Sequence, residues 1–123
     1  MSTVRKLRIL CLHGYNNNEP IMKFQMHNFI QTFAQIAEFT FLDGPLNAEE
    51  KPLKFFVRKG IKPPYKSWAR IVTQPYKTLP DGKVEVAINK VKVNYEGMRE
   101  SVHHILEHLN AQEEAYDGIA GFS

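Results

Sequence analysis

Cysteine is nearly missing from this 123-residue chain. Cys11 stands alone, which excludes a disulfide-held scaffold and suits a reducing compartment. Long apolar runs are missing too: no stretch of about 18 apolar residues exists, so no spanning helix is expected. The segment from Met1 to Leu12 is basic, but it has neither a long apolar core nor a small-residue cleavage site. No secretory signal is read there. The expected setting is the cytoplasm, with the nucleus also open, and not the secretory route. What is present is ordinary globular composition, 43% hydrophobic and 24% charged, enough for one domain.

Charge is unevenly spread beneath a net +3. From Lys51 to Lys92 there are eleven Lys or Arg against Asp81 and Glu85, so this segment stands at +9. Residues 93–123 carry one Arg and six acids, or −5. The basic stretch reads first as a solvated insert. The sharper alternative is a site for an anionic partner: nucleic acid, a phosphorylated substrate or a membrane surface. Phe55, Phe56, Tyr65, Trp68 and Tyr76 lie among the bases, which keeps nucleic acid as a minority reading.

In chain order, Leu7 to Leu12 is short and almost wholly apolar, the pattern of a strand covered on both faces. It runs into His13-Gly14-Tyr15-Asn16-Asn17-Asn18, a loop whose Gly and Asn tolerate unusual backbone angles. Asn18 is placed to cap a helix whose apolar stripe is Met22, Met26, Phe29, Phe33 and Ala37, running to about Ile36 and well covered. Glu38 to Leu42 reads as a second strand, parallel to the first through a right-handed crossover. Ala48 to Lys66 is a long loop with a helical turn near Leu53 to Arg58. Ala69 to Thr73 and Lys83 to Val93 read as a hairpin around Pro80-Asp81-Gly82, with a bulge or break near Asn89-Lys90. Asn94 is placed to cap a last helix with Tyr95, Met98, Val102, Ile105 and Leu109 buried. Ile119-Ala120-Gly121 then reads as a third buried strand. Strand, helix and strand in repetition give an α/β architecture.

The chemistry gathers at the end of that third strand, in Gly121-Phe122-Ser123. Gly-x-Ser is the first half of the turn that lifts a nucleophilic serine off a strand end. A serine hydroxyl needs a base to take its proton and donors to hold the oxyanion. One donor in such enzymes comes from a loop after an early strand, which points to the backbone amide of Tyr15, with Gly14 allowing close approach. His13 reads as a loop histidine anchoring the turn rather than as the base, because in this fold the base follows the serine in the chain. His104 and His108 stand one helical turn apart, but no third ligand is evident, so no metal is expected. Cys11, within a strand, reads as a packed thiol.

Taken together, the pieces resemble the FSH family of serine hydrolases, a branch of the α/β-hydrolases. Arg8-Ile-Leu-Cys-Leu-His-Gly-Tyr-Asn-Asn-Asn18 is similar to the family's opening strand and loop. Phe41-Leu-Asp-Gly-Pro45, Trp68, and Tyr95-Glu-Gly-Met-Arg-Glu-Ser101 follow in the family's order. Tyr116-Asp-Gly-Ile-Ala-Gly-Phe-Ser123 resembles the family's nucleophile strand. The resemblance implies a partial α/β-hydrolase fold over 1–123, mostly parallel sheet with flanking helices, carrying a variable basic hairpin insert at about 46–92. It implies a hydrolase acting on a small-molecule ester or thioester, of the carboxylesterase or thioesterase type, without metal or organic cofactor. Ser123 is then the nucleophile, the Tyr15 amide an oxyanion donor, and His13, Gly14 and Trp68 lie at the substrate. The family's Asp and His come further downstream, so residues 1–123 alone are expected to be an inactive, poorly soluble N-terminal part. The alternative is a non-catalytic α/β domain that binds nucleic acid or another polyanion through 51–92.

Overall fold

A computed structural model describes residues 5–48, 50–74, 76–78, 84–86 and 92–122, with side chains described for all of these but 72–74, 76–78, 84–86 and 92–93. At its centre is a parallel sheet ordered β2-β1-β9, from Leu7–Leu12 (β1), Ala37–Leu42 (β2) and Gly118–Gly121 (β9). Leu10 and Cys11, on opposite faces of β1, are both fully buried, as a near-continuous apolar run in a parallel sheet requires. Helices flank both faces. Phe29 meets Phe39 on one, with ring centroids 5.7 Å apart. On the other, Arg8 reaches Gln112 and the Glu114 carbonyl, just beyond the helix Met98–Asn110 (α4).

The first crossover differs from the expected single covered helix. It is two pieces, Glu19–Gln25 (α1) and His27–Thr32 (α2), meeting at Met26, whose ψ of 6° departs from the helical value. The Met26 N–H still bonds Met22 O and the Ile30 N–H bonds Met26 O, so this is a local unwinding. Met22 is buried, but Phe29 is 52% exposed, and Ala37 belongs to β2 rather than to the helix. The stripe's second half is therefore open among the described residues.

Between β2 and α4 lie Leu46–Asn47 (β3), Lys54–Arg58 (α3), Lys66–Ser67 (β4), Arg70–Gln74 (β5), Tyr76–Thr78 (β6), Val84–Val86 (β7) and Lys92–Glu96 (β8). β5 pairs antiparallel with β8 and β6 with β7, so the basic insert is a two-tier antiparallel ribbon. Gln74 faces Lys92 and Tyr76 faces Val86, so one residue separates the two tiers on the first limb and five on the second. The expected break near Asn89-Lys90 and the turn at Pro80-Asp81-Gly82 fall outside the described residues.

Asn94 and Tyr95 are corrected. Both belong to β8, opposite Val72 and Ile71, and not to the start of α4. The helix begins after Gly97, in the left-handed region at φ 85°. A Cβ there would also press on the tip of the Leu46 side chain, which would have to shift, but it is the backbone angle that demands glycine. Tyr95 and Asn94 mimic a helix start because their spacing to Met98 fits a 3.6-residue period, while β pairing decides their true state.

Candidate functional site

β1 lies between β2 and β9, and the chain leaves it on one side to reach β2 and on the other to meet β9. In parallel sheets the crevice at such a reversal, beyond the C-terminal ends of the strands, is where ligands bind. Here that crevice is bounded by the loop after β1 and by Phe122 after β9, whose N–H bonds Leu12 O at 3.1 Å. Two clefts open there. One, of about 370 Å³, is lined by Gly14, Tyr15 and Phe122 on one side and by Pro52, Leu53 and Phe56 on the other. The second, of about 290 Å³, runs from the same three residues along Trp68, Ile71 and Tyr95.

His13 holds the loop. It is 3% exposed, and both ring nitrogens are engaged. The Gly44 N–H donates to Nε2 at 2.9 Å, so Nε2 is the bare acceptor. Nδ1 therefore carries the proton and donates to Gly14 O at 2.8 Å. Burial pushes the imidazole below its ordinary 6.5, only partly offset by the Gly14 carbonyl and the Asp43 charge. This ring is a neutral strut between the β1 and β2 loops, with no lone pair free for a serine. Gly44 must be glycine because its backbone also packs against β4: a Cβ there would lie 2.5 Å from Ser67 O.

Trp68 closes the strut from the other side. Its Nε1–H donates to His13 O at 2.8 Å, and the rings lie 5.1 Å apart. The Trp68 carbonyl accepts from the Ser101 hydroxyl, and His104 bonds Asp43 O at 2.9 Å, so α4 braces the same knot. The asparagines do parallel work. Asn18 caps α1 through Ile21 N–H at 3.0 Å, and its Nδ2 donates to Lys62 O and Pro64 O at 3.2 and 3.1 Å. Asn16 takes a positive φ of 49°, and its buried Oδ1 has no partner among the described residues. Strained and unsatisfied groups of this kind gather in functional loops. The Tyr15 N–H has no partner among the described residues either, and Tyr15 lines both clefts.

Gly14, Tyr15, His13 and Trp68 are thus brought to one crevice, with Phe122 beside them. Ser123, next in the chain after Phe122, lies outside the described residues. Sequence reasoning passed over Phe122, Gly44 and the wall formed by Pro52, Leu53 and Phe56. Gly44 left a signal in the Asp-Gly-Pro turn, and Phe122 in the Gly-x-Ser motif. Other histidines are engaged elsewhere: His108 bonds the Tyr116 hydroxyl at 2.8 Å, and His103 pairs with Glu107 at 3.0 Å, while His27 is exposed on α2. Among the described residues no cluster of His, Cys, Asp and Glu is arranged to hold a metal.

Over 130 residues the chain is 29% identical to rhodanese-like domain-containing protein 6 of Arabidopsis thaliana, a match covering 99% of this chain and 21% of that protein. The chain thus spans about a fifth of the curated relative it matches. No solved structure matches it. The family described as serine hydrolase (FSH1) matches over residues 1–123, the whole chain, and the chain belongs to that serine hydrolase family.

Proposed function

We propose that this chain carries the nucleophile and half of the oxyanion hole of a hydrolase acting on a carboxylic ester or thioester. Ser123 Oγ attacks the carbonyl carbon, and the alcohol or thiol leaves as the acyl-enzyme forms. The Tyr15 N–H holds the developing oxyanion. Gly14 lets the substrate approach the backbone, Trp68 lines the crevice and fixes His13, and His13 positions the loop without exchanging a proton. Base and orienting acid are assigned to no residue among 1–123, since the histidine nearest the crevice already has both nitrogens bonded.

The observation that carries the reading is the Tyr15 amide, without a partner among the described residues, in a cleft shared with Phe122, the residue before the serine. The test uses the longest natural protein that contains these residues. A fluorophosphonate should label it at Ser123, and Ser123→Ala should abolish labelling. Tyr15→Ala, which keeps the amide, should label normally. Tyr15→Pro, which removes it, should slow labelling by about a hundredfold or more. Labelling that survives Ser123→Ala in folded protein would remove the assignment.

A further inference from the structure

The wall of the larger cleft is the start of a stretch whose outward chemistry the hydrolase reading does not use. Residues 51–66 contain six Lys or Arg and no acid. Within them α3 buries a single side chain, Phe56, against Phe24. Its other apolar residues point out, Phe55 being 50% and Val57 43% exposed, and Leu53 just before it is 73% exposed. One exposed leucine would need no explanation. Leu53 and Val57, four positions apart and so on one side of α3, stand among the exposed Lys51, Lys54, Arg58 and Lys62 and form a small patch.

We propose that this patch docks on an anionic lipid surface, with Leu53 and Val57 entering the acyl boundary and the surrounding cations meeting the headgroups. Stable interfacial binding takes two signals, apolar insertion and basic charge, and both are present here. Nucleic acid fits less well. Phe55, the exposed aromatic of α3, lies on its other flank, and its ring is occupied by Phe24 and Phe56 at 5.8 and 5.5 Å and by Lys59 Nζ at 5.5 Å. Leu53 and Val57 offer no stacking face. A second copy fits less well again, because two such patches brought together would set like charge against like charge. Pro52 and Leu53 also line the cleft beside Gly14 and Phe122, so docking would turn the mouth of the cleft toward the bilayer. The docking itself does not rest on the hydrolase reading.

Flotation with phosphatidylcholine vesicles, with and without phosphatidylserine, tests this, because aggregated protein sinks while bound protein rises. The chain should float with the anionic vesicles and not with the neutral ones, and added salt should weaken binding. Leu53→Ser with Val57→Ser should weaken it at least about tenfold. Each of Lys54→Gln and Arg58→Gln should weaken it about fivefold. Ser123→Ala should float as the parent does, which separates this proposal from the catalytic one. Thermal melting of each variant confirms folding, and the salt and lipid series on the unaltered chain decides the matter where a variant fails to fold. Flotation indifferent to phosphatidylserine or to the Leu53 and Val57 changes would overturn the proposal. So would release from vesicles by a duplex oligonucleotide held through the same cations, or loss of the patch into a dimer that ignores vesicles.

Discussion

At the N-terminal end of β1, Asp117 is held in the open by Arg5, with two bonds of 2.9 Å, and by the Arg8 N–H at 2.8 Å. At the C-terminal end, His13 and Asn18 are held out of water by bonds to backbone groups, most of them in distant loops. The first end sets the height of β9 with charge; the second shapes the crevice with neutral groups. The contrast is physically reasonable. Exposed ion pairs contribute little and yield to salt, whereas a buried polar group that loses its partner costs its full desolvation. Rigidity is therefore concentrated where the backbone amides must be aimed.

Breaking the buried end should have the largest effect. His13→Ala removes both struts and leaves a cavity, and should cost about 2–4 kcal/mol in urea unfolding. Asn18→Ala comes next, at about 1–3 kcal/mol, because it loses the cap and frees two carbonyls. Acid should then separate the two ends. The folded-state pKa of His13 lies below its ordinary 6.5, so the unfolded chain takes the proton first. Stability is full above about pH 6.5 and falls as the pH drops below it. Asp117 is lowered to about 2 by the Arg5 bonds and the Arg8 amide, from an ordinary 3.8. Its contribution is present above 3.8 and is lost only as the pH falls toward 2. A pH series of melting curves should therefore show a first decline that His13→Gln changes and a second that Asp117→Asn changes. Arg5→Leu should have the smallest effect, one that vanishes at high salt.

Legibility in the sequence followed locality. β1, β2 and β9 could be read because each is a short apolar run with its own boundaries, and Asn18 could be read as a cap from its position. Asn18's bonds to Lys62 and Pro64 could not, nor the His13 to Gly44 strut across 31 residues, since no local pattern encodes them. Tyr95 misled because an aromatic at helical spacing fits α4 as well as β8, and only the pairing with Ile71 decides. The open Phe29 illustrates the same limit: a 3.6-residue stripe states what wants burial, not what covers it.

The crevice itself was legible only as two separate motifs, His13-Gly14-Tyr15 and Gly121-Phe122-Ser123. Their meeting depends on β9 pairing with β1 in register, Leu12 opposite Gly121. The most direct test is the crystal structure of the phosphonylated natural protein. The phosphorus should sit on Ser123 Oγ, with a phosphonyl oxygen about 2.7–3.1 Å from the Tyr15 nitrogen. An adduct on another residue, or an oxygen turned away from that nitrogen, would contradict the account.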